Sequence, residues 1–391
     1  MRVSRVRDYS KRGDALEIPN LIALQTAAYN RFLQRDVEPD KRKNDGLQAL
    51  LKETFPIKSY DESMTLDFLD YELLKPRYTQ DECRALRLTY GMPMKIRVRL
   101  SRKGKDDLIE ESIYLGDIPT MTGGGEFIIN GAERVIVSQM HRSPGVDFVV
   151  DSREGDRPLH ACRVIPERGS WIEINVTKKD VLVVRIDQSS KIPATTFLRA
   201  MDEKYGTDEQ IIRSFYETKN IPVGQLKADY HTVGAIVDPE SGEELVKAGA
   251  QIGDRVAKIQ GSGLKKVEII ERVGDGIILN TMQEDDAHSH KEALRKIYGR
   301  LRPGNPPNDD KARQLFNERF FDANRYRLGR VGRFRINRKF EQNVPEDVMT
   351  LRPEDIMGSL KYIMELRAGK GYVDDIDHLG NRRLRTIDEL A

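Results

Sequence analysis

The chain has 391 residues, 38% of them hydrophobic and 33% charged, which is enough for two or three domains with sizeable cores. Its 65 basic and 63 acidic residues leave a net charge of +2, so bulk charge does not announce a nucleic-acid binder and local clustering has to do so. Two cysteines, Cys83 and Cys162, sit outside any C-x-x-C or zinc-ligand spacing, which argues against a disulfide framework and favours a reducing cytoplasm. The charged opening, MRVSRVRDYSKRGDALEIPN, lacks the apolar stretch of a signal peptide. No run approaches 18 apolar residues, so no membrane span is expected.

Residues 1–17 read as a flexible arm. Pro19 then introduces a helix with Leu21, Leu24, Ala28 and Phe32 on one face. A short helix is expected around Leu47–Phe55, and strand character from Thr65 onward. Met94–Leu100 alternates Ile96, Val98 and Leu100 with Lys95, Arg97 and Arg99, the pattern of a half-buried strand with a basic outer face. Gly123-Gly124-Gly125 breaks the chain. Glu126–Val137 reads as a hairpin turning at Asn130-Gly131, residues that tolerate the positive φ angles of a type I′ turn. A new segment starts after Pro144-Gly145, with strands across Ile172–Ile186. Thr207-Asp208-Glu209-Gln210 is a capping box opening a helix through Tyr216. A Gly-, Val- and Ile-rich stretch at about 224–284 reads as a small β-rich insert. Helices resume near Lys291–Tyr298 and Lys311–Phe321. Another starts at Pro353 and buries Ile356, Leu360, Ile363 and Met364. The expected fold class is α+β: multidomain, with mixed β-sheets, packed helices and a small β-rich insert.

Three stretches could carry chemistry. Arg325–Lys339 (RYRLGRVGRFRINRK) holds six arginines and one lysine interleaved with Tyr326 and Phe334. Guanidinium forks bind phosphate and aromatic faces stack on bases, and glycines at 329 and 332 would admit a close backbone. A solvated charged surface is the bland alternative. His141–Gly145 (HRSPG) makes a tight turn that would present Arg142 outward. Trp171, the only tryptophan, is either core or a stacking face for an unpaired base. The cluster Asp374, Asp375 and Asp377 beside His378 could hold magnesium, although such clusters are more often polar turns. His288 and His290 lack a third ligand nearby. No Walker loop, G-x-S-x-G or H-E-x-x-H is present. The residues alone lead to a nucleic-acid-binding protein with no evident catalytic site.

The motifs are long and ordered. DIPTMTGGGEFIINGAERVIVSQMHRSPGVDF (Asp117–Phe148) and DDIDHLGNRR (Asp374–Arg383) closely resemble the N-terminal part of the bacterial DNA-directed RNA polymerase beta-subunit family. LEIPNLIALQ (Leu16–Gln25), RVIPERGSWIEI (Arg163–Ile174), KIPATTFLRA (Lys191–Ala200), RLRPGNPP (Arg300–Pro307) and NERFF (Asn317–Phe321) resemble it too. The resemblance runs from residue 16 to 391 and is weakest over 224–284. The run Gly123–Gly125 departs from the family's usual single glycine.

That resemblance implies a protrusion over 1–144, a lobe over 145–372 carrying the insert, and a return segment at 373–391. It implies a pocket for one unpaired guanine of the non-template strand, built from Arg142, Asp377 and Arg382, with Trp171 stacking on a neighbouring base. Arg302 and Arg325 would track the same strand. Arg134 and Val137 would edge the rifamycin pocket. The implied partners are the alpha, beta-prime and omega subunits, sigma factor, DNA, and transcription regulators on the lobe and protrusion. Catalytic residues are expected to be none. Magnesium would be held by beta-prime and not by Asp374, Asp375 or Asp377. The implied location is the bacterial cytoplasm, with the nucleoid. Two other readings remain: a free-standing DNA-binding regulator built on the same domains, and a self-sufficient nucleotidyltransferase using the acidic cluster. On the first reading the chain is a fragment or shortened product that is inactive alone.

Overall fold

The computed structural model describes residues 19–306 and 308–391. The arm expected at 1–17, the start of the LEIPNLIALQ motif and Pro307 of RLRPGNPP lie outside the described residues. Two compact units divide the chain: Met1–His141 with Leu384–Ala391, and Arg142–Arg383. Helices and several small sheets occur in both, so the fold class is α+β and multidomain.

In the first unit an antiparallel sheet runs in the order β1 (Ile57–Lys58), β2 (Met64–Leu73), β3 (Gly91–Arg102) and β4 (Lys105–Pro119). The alternation in β3 sets its faces: Met92, Met94, Ile96 and Val98 are buried while Lys95 and Arg97 face water. Arg97 pairs across to Asp70 at 2.8 Å, and Arg99 pairs to Glu110 at 2.6 Å. Helices α1 (Ala23–Leu33) and α2 (Gly46–Thr54) contribute Ala28, Tyr29, Leu33, Leu47 and Leu51 to the core, which Ile387 from the helix Ile387–Leu390 completes. The α1 face differs from the sequence expectation. Leu21 precedes the helix, which begins only at Ala23, and both it and Leu24 in the first turn are exposed, while Ala28, Tyr29 and Leu33 face inward. The Tyr29 hydroxyl donates to Pro119 O and fixes that rotation. A capping box formed by Thr79 and Glu82 starts α3 (Gln80–Leu86). The hairpin β5 (Phe127–Ile129) to β6 (Ala132–Arg134) turns at Asn130 and Gly131, both at positive φ (51° and 79°). The chain then continues through β7 (Gln139–Arg142).

The second unit is built on an antiparallel sheet ordered β12 (Ile192–Pro193), β11 (Leu182–Ile186), β10 (Ile172–Val176), β9 (Arg157–Ile165) and β8 (Gly145–Glu154). One large core joins its apolar face to the helices. Every residue of α4 (Ala194–Met201) is buried, Arg199 included. That guanidinium donates to Gly206 O at 2.9 Å and pairs with Asp208, which offsets its desolvation. The capping box Thr207/Gln210 opens α5 (Asp208–Phe215). A separate small core, from Val223 to Ile269, holds the strands β13 (Thr218–Pro222), β14 (His231–Thr232), β15 (Ile236–Val237) and β16 (Glu244–Val246). Helix α6 (Val256–Gly261) and strand β17 (Lys266–Ile270) complete it. Helix α7 (Ile277–Gln283) returns to the main core through Ile277, Ile278, Leu279 and Met282.

The unit closes with α8 (His290–Leu301), α9 (Asp309–Phe320), α10 (Gly329–Phe340) and α11 (Pro353–Arg367). Phe197, Phe316 and Phe320 pack ring against ring at 4.8–5.9 Å between centroids. In α11, Ile356, Leu360 and Ile363 are buried as their spacing predicts. Among the described residues no helix is long and apolar enough to cross a membrane.

Candidate nucleic-acid interface

Arg142 closes β7, and Arg382 opens β18 (Arg382–Arg385), which pairs with β7 in a two-stranded sheet. Ser143 N–H donates to Asn381 O at 2.9 Å. Two arginines separated by 240 positions therefore stand on neighbouring backbones. The sequence places Arg142 in a loop aimed at solvent. The structure corrects this: its side chain is only 16% exposed, with Nη2 3.6 Å from Asp147 Oδ2. Its Nε and Nη2 have no hydrogen-bond partner among the described residues. Burial lowers its pKa against the pull of Asp147. Two donors of a largely covered guanidinium are thus left unspent.

The return segment is a polar turn whose acids have assigned tasks. Asp374 accepts Phe148 N–H at 2.9 Å and pairs with Lys339 at 3.0 Å. Asp375 accepts Asp377 N–H at 3.0 Å, and its carbonyl takes Asn381 Nδ2 at 2.6 Å. His378 Nδ1 accepts Gly380 N–H at 3.0 Å. With Asp374 spent on Lys339 and a backbone amide, these residues do not fit a magnesium site. Among the described residues no group of three or more His, Cys, Asp or Glu side chains is placed to hold a metal. The Asp377 and Arg382 side chains are exposed and make no hydrogen bond or ion pair among the described residues.

A second cluster surrounds Trp171, whose indole is 39% exposed even though Ile172 beside it is fully buried. The backbone of Trp171 is pinned: its N–H donates to Asp187 Oδ1 at 2.8 Å, and its carbonyl accepts Asp187 N–H at 3.0 Å. Arg319 donates to Ser170 Oγ at 2.9 Å and to Asp187 Oδ2 at 2.7 Å. Burial opposes the Asp187 charge, yet the Ser170 and Arg319 hydrogen bonds hold its carboxyl below the ordinary range. The two residues before Trp171 border a cavity of about 310 Å³ lined by Gly169, Ser170, Leu301, Arg302, Leu315, Arg319 and Arg325. Arg302 is exposed, and its side chain has no partner among the described residues. Arg325 is exposed and pairs with Glu318 at 2.9 Å. Glu167 connects the two clusters. It accepts Arg383 Nη1 at 3.2 Å, and its N–H donates to Arg327 O at 2.8 Å.

The basic stretch Arg325–Lys339 differs most from its sequence reading. Tyr326 is fully buried, and three of the seven cations turn into the protein. Arg333 is wholly buried against Asp355 at 2.8 Å. Arg335 donates to Asp147 at 2.8 Å, and Lys339 takes Asp374. The glycines admit protein rather than phosphate. A Cβ on Gly329 would lie 2.3 Å from a Glu167 oxygen, and one on Gly332 would lie 3.3 Å from Pro144 Cβ. Arg325, Arg327, Arg330, Phe334 and Arg338 remain outside. In the other unit, Arg134 ends β6 and Val137 follows it, both exposed.

Arg319, Asp187, Arg335 and Lys339 brace these clusters through contacts that the sequence does not mark. Arg319 falls inside the NERFF motif, and Arg335 and Lys339 inside the basic run, but nothing local marks their partners.

A part-exposed indole, a carboxylate without a partner among the described residues, and arginines gathered from distant segments are the side-chain types that nucleic-acid-binding surfaces use. Comparison with known proteins identifies the family. A model described as "RNA polymerase beta subunit" matches residues 20–123, and one described as "RNA polymerase Rpb2, domain 2" matches residues 263–385. The DNA-directed RNA polymerase subunit beta of Rhodopirellula baltica is 54% identical across 99% of this chain and 32% of its own length. The subunits of Protochlamydia amoebophila and Geobacter sp. are 39% and 37% identical, each across 98% of this chain and 31% and 33% of their own lengths. The chain belongs to the bacterial RNA polymerase beta-subunit family and spans about a third of the length of these relatives, in their N-terminal part. Nothing in these matches favours a free-standing regulator.

Proposed function

We propose that this chain serves DNA-templated RNA synthesis as part of a polymerase beta subunit, holding promoter DNA and the unpaired non-template strand and scaffolding the complex. Bond formation belongs to other parts of that enzyme, and the chain alone is inactive. Magnesium is held by beta-prime, in keeping with the engaged state of Asp374. The partners are the alpha, beta-prime and omega subunits, sigma factor and DNA, with regulators meeting the lobe and protrusion. Residues 1–144 act as the protrusion, 145–372 as the lobe, and 373–391 as the return. Arg134 and Val137 edge a rifamycin pocket completed elsewhere. The complex works in the cytoplasm at the nucleoid.

The observation that carries this reading is the meeting of Arg142 and Arg382 on paired strands, with the exposed Asp377 carboxylate, unpartnered among the described residues, in the turn before Arg382. Guanine suits that set. Its N1–H and exocyclic amine donate to a carboxylate, while O6 and N7 accept from a guanidinium fork. Trp171 offers a face to the next base, and Arg302 and Arg325, which share a cavity with Gly169 and Ser170 just before it, serve the phosphates. The test is the lifetime of the promoter open complex with guanine or thymine at the pocket position. Asp377→Ala and Arg382→Ala are each expected to lower the guanine-to-thymine lifetime ratio about tenfold, within the range of one lost base contact. An unchanged ratio in both variants contradicts the reading.

A further inference from the structure

We propose that Arg335 is a positioning residue for base recognition: its guanidinium locks the segment carrying Arg142 to the segment carrying Asp377 and Arg382. This rests on the guanine reading above. One side chain reaches four acceptors. Nη1 donates to Ser143 O at 3.0 Å and Pro144 O at 3.3 Å. Nη2 donates to Asp147 Oδ1 at 2.8 Å and Asn381 Oδ1 at 2.9 Å. Ser143 adjoins Arg142, and Asn381 adjoins Arg382. Asp147 is also the carboxylate that faces Arg142. The fork therefore touches the neighbours of both base-reading arginines without touching a base.

Two further features bind α10 to the same segments. Lys339 lies four residues after Arg335, on the same helix face. It pairs with Asp374 at the start of the return segment, and its ammonium sits 4.1 Å from the Tyr372 ring centroid and 4.7 Å from that of Tyr362. Gly145 adopts φ +133°, and a Cβ there would lie 3.0 Å from Arg335 Cβ, so the turn seats directly on the Arg335 shaft. α10 thus holds the arginine turn with one prong and the return segment with both.

Lysine at 335 separates position from charge. It keeps a cation facing Asp147, yet its single nitrogen has no planar fork to span two segments. The experiment assembles the polymerase with each variant and measures competition binding of fork-junction DNA. The unpaired non-template tail carries guanine or thymine at the pocket position. Arg335→Lys is expected to assemble normally and to lower the guanine-to-thymine affinity ratio about tenfold, as the loss of a bidentate base contact does. A wild-type ratio in Arg335→Lys, with the ratio lost in Arg382→Ala, overturns the positioning role alone. A wild-type ratio in Arg382→Ala overturns the guanine reading and the positioning role with it. Should Arg335→Lys fail to assemble, Asn381→Ala decides: it removes one acceptor of the fork, and a wild-type ratio there overturns the proposal.

Discussion

Replacing Asp355 with alanine should destabilise the Arg142–Arg383 unit by about 3–5 kcal/mol, the cost of leaving a buried charge without its partner. Arg333 is fully buried and Asp355 nearly so, and their 2.8 Å contact is the only ion pair Arg333 makes among the described residues. Arg333 Nε and Nη2 also donate to Val348 O at 2.9 Å and Thr350 O at 2.6 Å. Asp355 also accepts Arg352 N–H at 2.9 Å at the start of α11, so its loss uncaps that helix. Burial raises the Asp355 carboxyl above the ordinary range while Arg333 pulls it down. Equilibrium denaturant unfolding checks the prediction. A change under about 1 kcal/mol, the range of exposed pairs, would mean the pair is not desolvated in solution.

Replacing Trp171 with alanine should cost about 1–3 kcal/mol of affinity for the unpaired strand, the worth of one stacked base. The loss should be nearly the same with guanine or thymine at the pocket position, because stacking uses the face of a base and not its edge. The fold should survive. Asp187 and Arg319 hold the Trp171 backbone and Ser170, and only part of the indole is covered. Fork-junction binding and a thermal melt of the same variant separate the two effects. Unchanged strand affinity, or an affinity loss matched by a large fall in melting temperature, returns the indole to a packing role.

The elements legible in the sequence are those specified by local chemistry. Strand β3 follows its two-residue alternation, α5 its Thr207/Gln210 capping box, and the hairpin its Asn130-Gly131 turn. The site was legible only as a set of residue types. Which arginines face water depends on partners far along the chain: Arg333 meets Asp355 22 positions away, and Arg335 meets Asp147 188 positions away. A run of cations carries no mark of which one finds such a carboxylate. The misreading of α1 has a similar origin. Leu21 and Leu24 continue its apolar spacing, but the Tyr29 bond to Pro119 O sets the helix rotation from 90 residues away. Pro144-Gly145 predicts an open turn at Arg142; Asp147 and the strand pairing with the return segment put it largely under cover.

Zero-length photocrosslinking from 6-thioguanine, placed at the pocket position of the non-template strand in an open complex, would show where that base rests. The crosslinked peptides should contain Arg142, or the stretch from Asp374 to Arg383, and should diminish in Asp377→Ala. Crosslinks confined to other subunits, or to parts of this chain remote from those residues, would contradict the assignment of these side chains to the unpaired strand.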